Sequence, residues 1–149
     1  MWNELNRYHR LPKSRRLLLW EALSALALAR FAMVFLPFKR IAAWLGTPGT
    51  ESPRNATAEQ VQVATEIGWA VSCLARRVPW DSRCLARALA ATWMLRRRGL
   101  ESTVCFGADR RESDEFVAHA WLRFGPCLVT GGIGHEQFKT LTFLTRKQS

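Results

Sequence analysis

The sequence lacks the spacings of a structural metal site. Its four cysteines, Cys73, Cys84, Cys105 and Cys127, stand 11, 21 and 22 residues apart, with no C-x-x-C pair and no H-x-x-x-H. A structural zinc site is therefore excluded as a reading, and neither a metal nor another cofactor is expected. Cys105 and Cys127 fall in apolar, strand-like runs, where free cysteine behaves as a small buried hydrophobe. The cysteines are accordingly read as free and the chain as cytoplasmic. Internal repeats and low-complexity tracts are missing too, so nothing reads as disordered. Acidic residues are scarce, 12 Asp/Glu against 22 Lys/Arg, for a net charge of +10. Such an excess points to an acidic partner, but no nucleic-acid motif accompanies it, and nucleic acid is not expected.

What is present is the material of one compact domain with a helical extension: 149 residues, 48% hydrophobic, including seven Trp. Residues 1–54 hold nine Lys/Arg against three Asp/Glu, and the remaining 95 hold thirteen against nine, so the positive excess sits toward the N-terminus. The run Leu17 to Phe38 is strongly apolar, follows Arg15-Arg16 and contains Ala-x-Ala triplets at 25–27 and 27–29, as a signal peptide does. Against export stand a sixteen-residue lead-in and the charges Glu21 and Arg30, which are also costly in a spanning helix. A buried or partner-covered helix is the first reading. Peripheral membrane contact through 14–38 and export are the others.

Residues 14–35 contain no Gly or Pro and read as a helix ended by Pro37, with Phe38 to Leu45 as a further short helical piece. One face is expected to pack on the core and another to serve a partner, flanked by Lys13, Arg15 and Arg16. The stretch 46–55, GTPGTESPRN, reads as a linker between an N-terminal helical segment, 1–45, and a catalytic core, 56–149. Thr57 with Gln60 forms a capping-box pattern that opens an amphipathic helix running to about Arg77. A third helix follows Asp81-Ser82, with one of those two as N-cap, and runs toward Gly99. Ser102–Ala108, Phe116–Phe124, Cys127–Thr130 and Thr140–Thr145 then read as strands of an antiparallel meander. Helices followed by such a sheet define an α+β fold with the helices on one face.

Cys84 is the candidate nucleophile. It falls in the first turn of the third helix, where unpaired N–H groups and the positive end of the dipole favour a negative sulfur, and Arg83 and Arg87 add positive charge. His119 lies mid-strand in F-V-A-H-A-W, sharing a face with Val117 and Trp121. A histidine among apolar residues is more often a hydrogen-bonded core residue than a base. Paired with a cysteine at a helix start, it becomes the base that such a nucleophile requires. The Cys84 N–H is the expected oxyanion donor, with a second from 79–82 or another loop. Trp80 is a candidate wall of the substrate cleft, against the plainer reading of a core Trp.

The segments P-W-D-S-R-C-L-A-R-A-L (79–89), L-R-R-R-G-L (95–100) and F-V-A-H-A-W-L (116–122) together resemble the lasso-peptide leader peptidases. L-P-F-x-R (36–40) and W-L-G (44–46) extend the resemblance toward the N-terminus. It implies a transglutaminase-like, papain-like cysteine protease core with Cys84 as nucleophile and His119 as base. The implied activity is cleavage of a ribosomally made precursor between leader and core. The implied partners are that precursor, a small leader-binding protein and an ATP-dependent lasso cyclase. One departure stands out. The family usually has an aspartate on the strand after the histidine. If Gly125-Pro126 is a two-residue turn, Phe124 pairs Cys127, and His119 lies opposite Gly132 with Gly131 beside it. Glu136 is then the nearest downstream acid. A backbone carbonyl, Thr130 or a water are alternatives for orienting the imidazole. His135 reads as a further loop residue. Two rival functions accompany the leader-peptidase reading: another acyl-transfer enzyme, a transglutaminase or amidase, and a non-catalytic leader- or membrane-binding adaptor.

Overall fold

A computed structural model describes residues 2–79, 83–110, 116–132 and 135–147. The chain begins with three helices, α1 (Trp2–His9), α2 (Lys13–Phe35) and α3 (Phe38–Leu45). A two-residue strand β1 (Thr47–Pro48), α4 (Ala58–Ala75) and α5 (Cys84–Arg96) follow. The remainder is β2 (Thr103–Arg110), β3 (Phe116–Phe124), β4 (Cys127–Thr130), a 3-10 turn (His135–Gln137) and β5 (Lys139–Thr145).

Local chemistry accounts for the helix ends. Leu36, held extended by the following Pro37, stops α2. The capping box at α4 is formed: the Gln60 N–H donates to Thr57 Oγ1 at 3.2 Å, and the Thr57 N–H donates to Gln60 Oε1 at 3.0 Å. The Arg96 guanidinium of α5 donates to the Trp44 and Leu45 carbonyls, capping the end of α3 and fixing it to α5. The short helix α1 carries no signal that the sequence reading recognised.

The five strands form one antiparallel sheet in the order β1-β5-β2-β3-β4. It is not the expected meander, because β5 crosses back to pair with β2 instead of lying beside β4. The outer side of β4 is taken by α4. There Gly68 comes so near the Val129 carbonyl that a Cβ would stand 2.4 Å from its oxygen. The stretch 46–55 is joined to the sheet: β1 pairs with β5, and the buried Ser52 donates its N–H to Thr103 Oγ1 at 2.8 Å.

Helices α4 and α5 pack on the sheet, α4 against β4 and α5 against β3 and β4, and α2 packs on these two helices. Ala86, Ala88, Ala90 and Ala91 of α5 are buried, small enough for it to meet both helices and the sheet. From the sheet, Val104, Leu122, Phe124 and Leu144 complete the core. Alternation sends Trp121 and Arg123 to the opposite face. Arg123 is buried there and bound to Glu51 at 3.1 Å, the Ser52 carbonyl at 2.9 Å and the Gly125 carbonyl at 2.7 Å. A buried guanidinium needs such a set of acceptors.

Candidate active site

Cys84 is the first residue of α5. The N-cap is Arg83, with φ −60° and ψ 167° and no side-chain cap bond of its own, and the expected capping residues Asp81 and Ser82 lie outside the described residues. The helix simply starts one residue later than the capping pattern suggested. The N–H groups of the first turn have no partner within the helix itself. Trp80 also lies outside the described residues, as does most of the segment expected to give a second oxyanion donor.

Strand β3 brings His119 to this helix end. Past the last ladder pair of β4, the Ala120 N–H turns away from β2 and donates to Cys84 Sγ at 3.4 Å. The thiol is thereby held against the residue next to His119. Both Cys84 and His119 are half-buried, so solvent and substrate can reach them.

The imidazole is held from three sides. Its Nε2 lies 2.9 Å from the Gly131 carbonyl oxygen. A carbonyl only accepts, so Nε2 carries the proton and Nδ1 is the bare, basic nitrogen. The Phe138 ring stacks on His119 at 4.8 Å, and the Trp121 ring at 5.8 Å. Gly107, the cross-strand partner of His119, makes room for this stack: a Cβ there would lie 2.8 Å from the Trp121 ring and 2.9 Å from Phe138 Cβ.

Gly131 follows a bulge. The turn pairs Phe124 with Cys127 as expected, but the register shifts between Leu122 and Arg123, so Leu122 faces Thr130 and Val129 is the extra residue. The ladder ends at Leu122–Thr130, so the expected pairing of His119 with Gly132 is not formed. Gly131 has φ +69°, and a Cβ on it would meet the Ala120 oxygen at 2.7 Å and Trp121 Cβ at 3.0 Å. This backbone has no room for an aspartate at Gly131, and the peptide carbonyl occupies the carboxylate's place.

Glu136 does not come to His119. Its side chain is 81% exposed in the 3-10 turn, with Oε1 3.9 Å from His135 Nδ1. His135 is more involved than a plain loop residue: its Nδ1 donates to the Gly132 carbonyl at 2.6 Å, and its ring lies 5.7 Å from Trp121. Two imidazoles thus hold consecutive carbonyls of the Gly131-Gly132 turn. Sequence reading missed Phe138 and this use of His135. The adjacent glycines, where a strand would otherwise continue, were the available signal.

The four cysteines are free. Cys105 is buried, and burial pushes its thiol up to about 11. Cys127, also expected to be buried, is only half so. Among the described residues no group of three or more His, Cys, Asp or Glu is placed to hold a metal ion.

Residues 32–142 match the family model of the transglutaminase-like superfamily, a span that includes both Cys84 and His119. The chain belongs to that superfamily, which includes cysteine proteases and acyltransferases and consists mostly of cysteine-dependent enzymes. No curated protein and no solved structure matches it.

Proposed function

We propose that the protein is a cysteine endopeptidase that removes the leader from a ribosomally made lasso-peptide precursor. The observation that carries this reading is the seat of Cys84 Sγ on the Ala120 N–H, beside an imidazole whose Nε2 is tied to Gly131. His119 Nδ1 takes the thiol proton, and the sulfur attacks the scissile carbonyl carbon. The oxyanion that forms is met by the Cys84 N–H at the helix start. The imidazolium then gives its proton to the leaving amine nitrogen as the C–N bond breaks, leaving a thioester on Cys84. Water, deprotonated by Nδ1, attacks the thioester and releases the leader's carboxylate and the free thiol.

The specific substrate rests on the motif resemblance around Cys84 and His119. In this reading the precursor is delivered by a small leader-binding protein, the core passes to an ATP-dependent cyclase, and the work is done in the cytoplasm. Tethering by the leader-binding protein raises the local precursor concentration, into the millimolar range for a short connection. Mass spectrometry of precursor incubated with the protein, with and without that partner, tests the reading. An intact leader plus an intact core, formed much faster with the partner, is the expected result. A leader amide formed with an added amine, without hydrolysis, would instead assign the same site to acyl transfer.

A further inference from the structure

Helix α2 is built the wrong way round for a helix serving only a water-soluble core. Its protein-facing side buries Ala22, Ala25 and Ala29 beside Leu19 and Leu26, whereas all its Phe and Trp side chains and further large apolar ones are exposed. Leu17, Trp20, Leu28, Phe31 and Phe35 are each 55–66% exposed. At 100° per residue these five and Ser24 share a single arc of roughly 80° that runs from Leu17 to Phe35, about 27 Å. An amphipathic helix facing water has the opposite distribution.

The stripe is also free of unmet polar groups. Ser24, its one hydroxyl, donates back to the Trp20 carbonyl at 3.0 Å, and the Trp20 indole N–H donates to Tyr8 Oη at 2.7 Å. Such internal satisfaction suits a surface that leaves water.

Charge decides what faces it. Between residues 6 and 50 there are eight Lys/Arg and a single acid, Glu21. Glu21 is turned inward, its carboxylate on Arg98 at 2.7 and 2.9 Å. The exposed cations Arg7, Arg10 and Lys13 stand before or at the start of the stripe, and Lys39 and Arg40 stand just past its end. Arg15, expected to flank a partner contact, instead faces Glu66 at 4.0 Å with its guanidinium over Trp69.

We propose that the outward face of α2 seats the protein on an anionic phospholipid surface. The helix lies in the plane of the interface, its Phe, Trp and Leu side chains among the acyl chains and the cations at both ends on headgroup phosphates. Spanning is incompatible with the packing of its alanine face on α4 and α5 and with the Glu21–Arg98 pair. By length and composition alone α2 would be long and apolar enough to cross a bilayer.

Flotation of the full-length protein with vesicles tests this. Vesicles of phosphatidylcholine alone are compared with vesicles that also contain phosphatidylglycerol. The expected result is that the protein floats with the anionic vesicles and largely not with the neutral ones. Phe31→Glu with Phe35→Glu should keep the thermal melt of the parent and stay at the bottom of the gradient. Lys39→Gln with Arg40→Gln, which leaves the apolar face intact, should lower partitioning about 30-fold. Failure of the parent protein to float with either vesicle overturns the proposal. So does a dimer in solution that Phe31→Glu with Phe35→Glu converts to monomer, since a second copy would then cover the face.

Discussion

His119 Nε2 is bound to the main-chain oxygen of Gly131 at 2.9 Å, and Gly131 itself has a left-handed backbone with φ +69°. A peptide carbonyl fixes the tautomer and ring orientation as a carboxylate would, but it brings only a partial charge to the imidazolium. The site therefore has its geometry from main chain and its charge balance from elsewhere.

Gly131→Asp, the substitution that restores an aspartate where the resemblance leads one to look for it, should harm the protein. Left-handed backbone costs a residue with a Cβ about 1–2 kcal/mol, and the contacts at 2.7 and 3.0 Å add to that. Urea denaturation should show the loss, accompanied by slower cleavage. Unchanged stability with faster cleavage would show that the loop rearranges and that the glycine is not required.

His135→Ala should release the Gly132 carbonyl and let the turn that holds His119 drift. A small misplacement of a catalytic group lowers rate by roughly 10- to 100-fold, and the change should appear in kcat with KM little altered. An unchanged kcat would reduce His135 to a loop side chain.

How much of this was legible in the sequence follows from the range of the forces involved. The capping box of Thr57 and Gln60 and the alternation of β3 are local, and both appear in the structure as read. The turn that pairs Phe124 with Cys127 was likewise legible. The extra residue at Val129 was not, because a bulge depends on what α4 presses against β4 at Gly68. The crossing of β5 to β2 pairs segments far apart in the chain, which local pattern does not specify. Arg15 shows the limit on charges: its partners Glu66 and Trp69 are about fifty residues away, so sequence showed a basic cluster but not its direction.

Stability should fall with pH above about 9. The Cys105 thiol has an ordinary value of 9.0 and is pushed up to about 11 in the fold by burial. The unfolded chain thus loses this proton first, and stability present below pH 9 is lost as pH rises toward 11. Arg96 acts in the opposite sense: burial first and then Arg146 lower its pKa from 12.5 to about 10, so its cost to the fold is relieved above that pH. The decline is therefore cleanest between pH 9 and 10. Urea midpoints across that range should drop for the parent protein and flatten for Cys105→Ala. A parent profile that is flat from 9 to 10 would contradict the burial of this thiol.

Alkylation provides an independent check of the cysteines. Cys84 is half-exposed at the start of α5 with its Sγ on the Ala120 N–H, Cys73 Sγ accepts from the Arg77 guanidinium at 3.0 Å, and Cys105 is buried. Iodoacetamide at neutral pH should label Cys84 first and Cys105 last, as read by peptide mapping. First labelling at Cys73 or Cys127 would mean that the helix start confers no special reactivity.

The central claim is that Cys84 and His119 form one cleaving unit, and intact-mass analysis of the precursor tests it most directly. With the leader-binding partner present, the parent protein should convert precursor to leader and core. Cys84→Ala and His119→Ala, each melting as the parent does, should leave the precursor whole over the same period. Cleavage by either variant at a rate near the parent's would contradict the assignment.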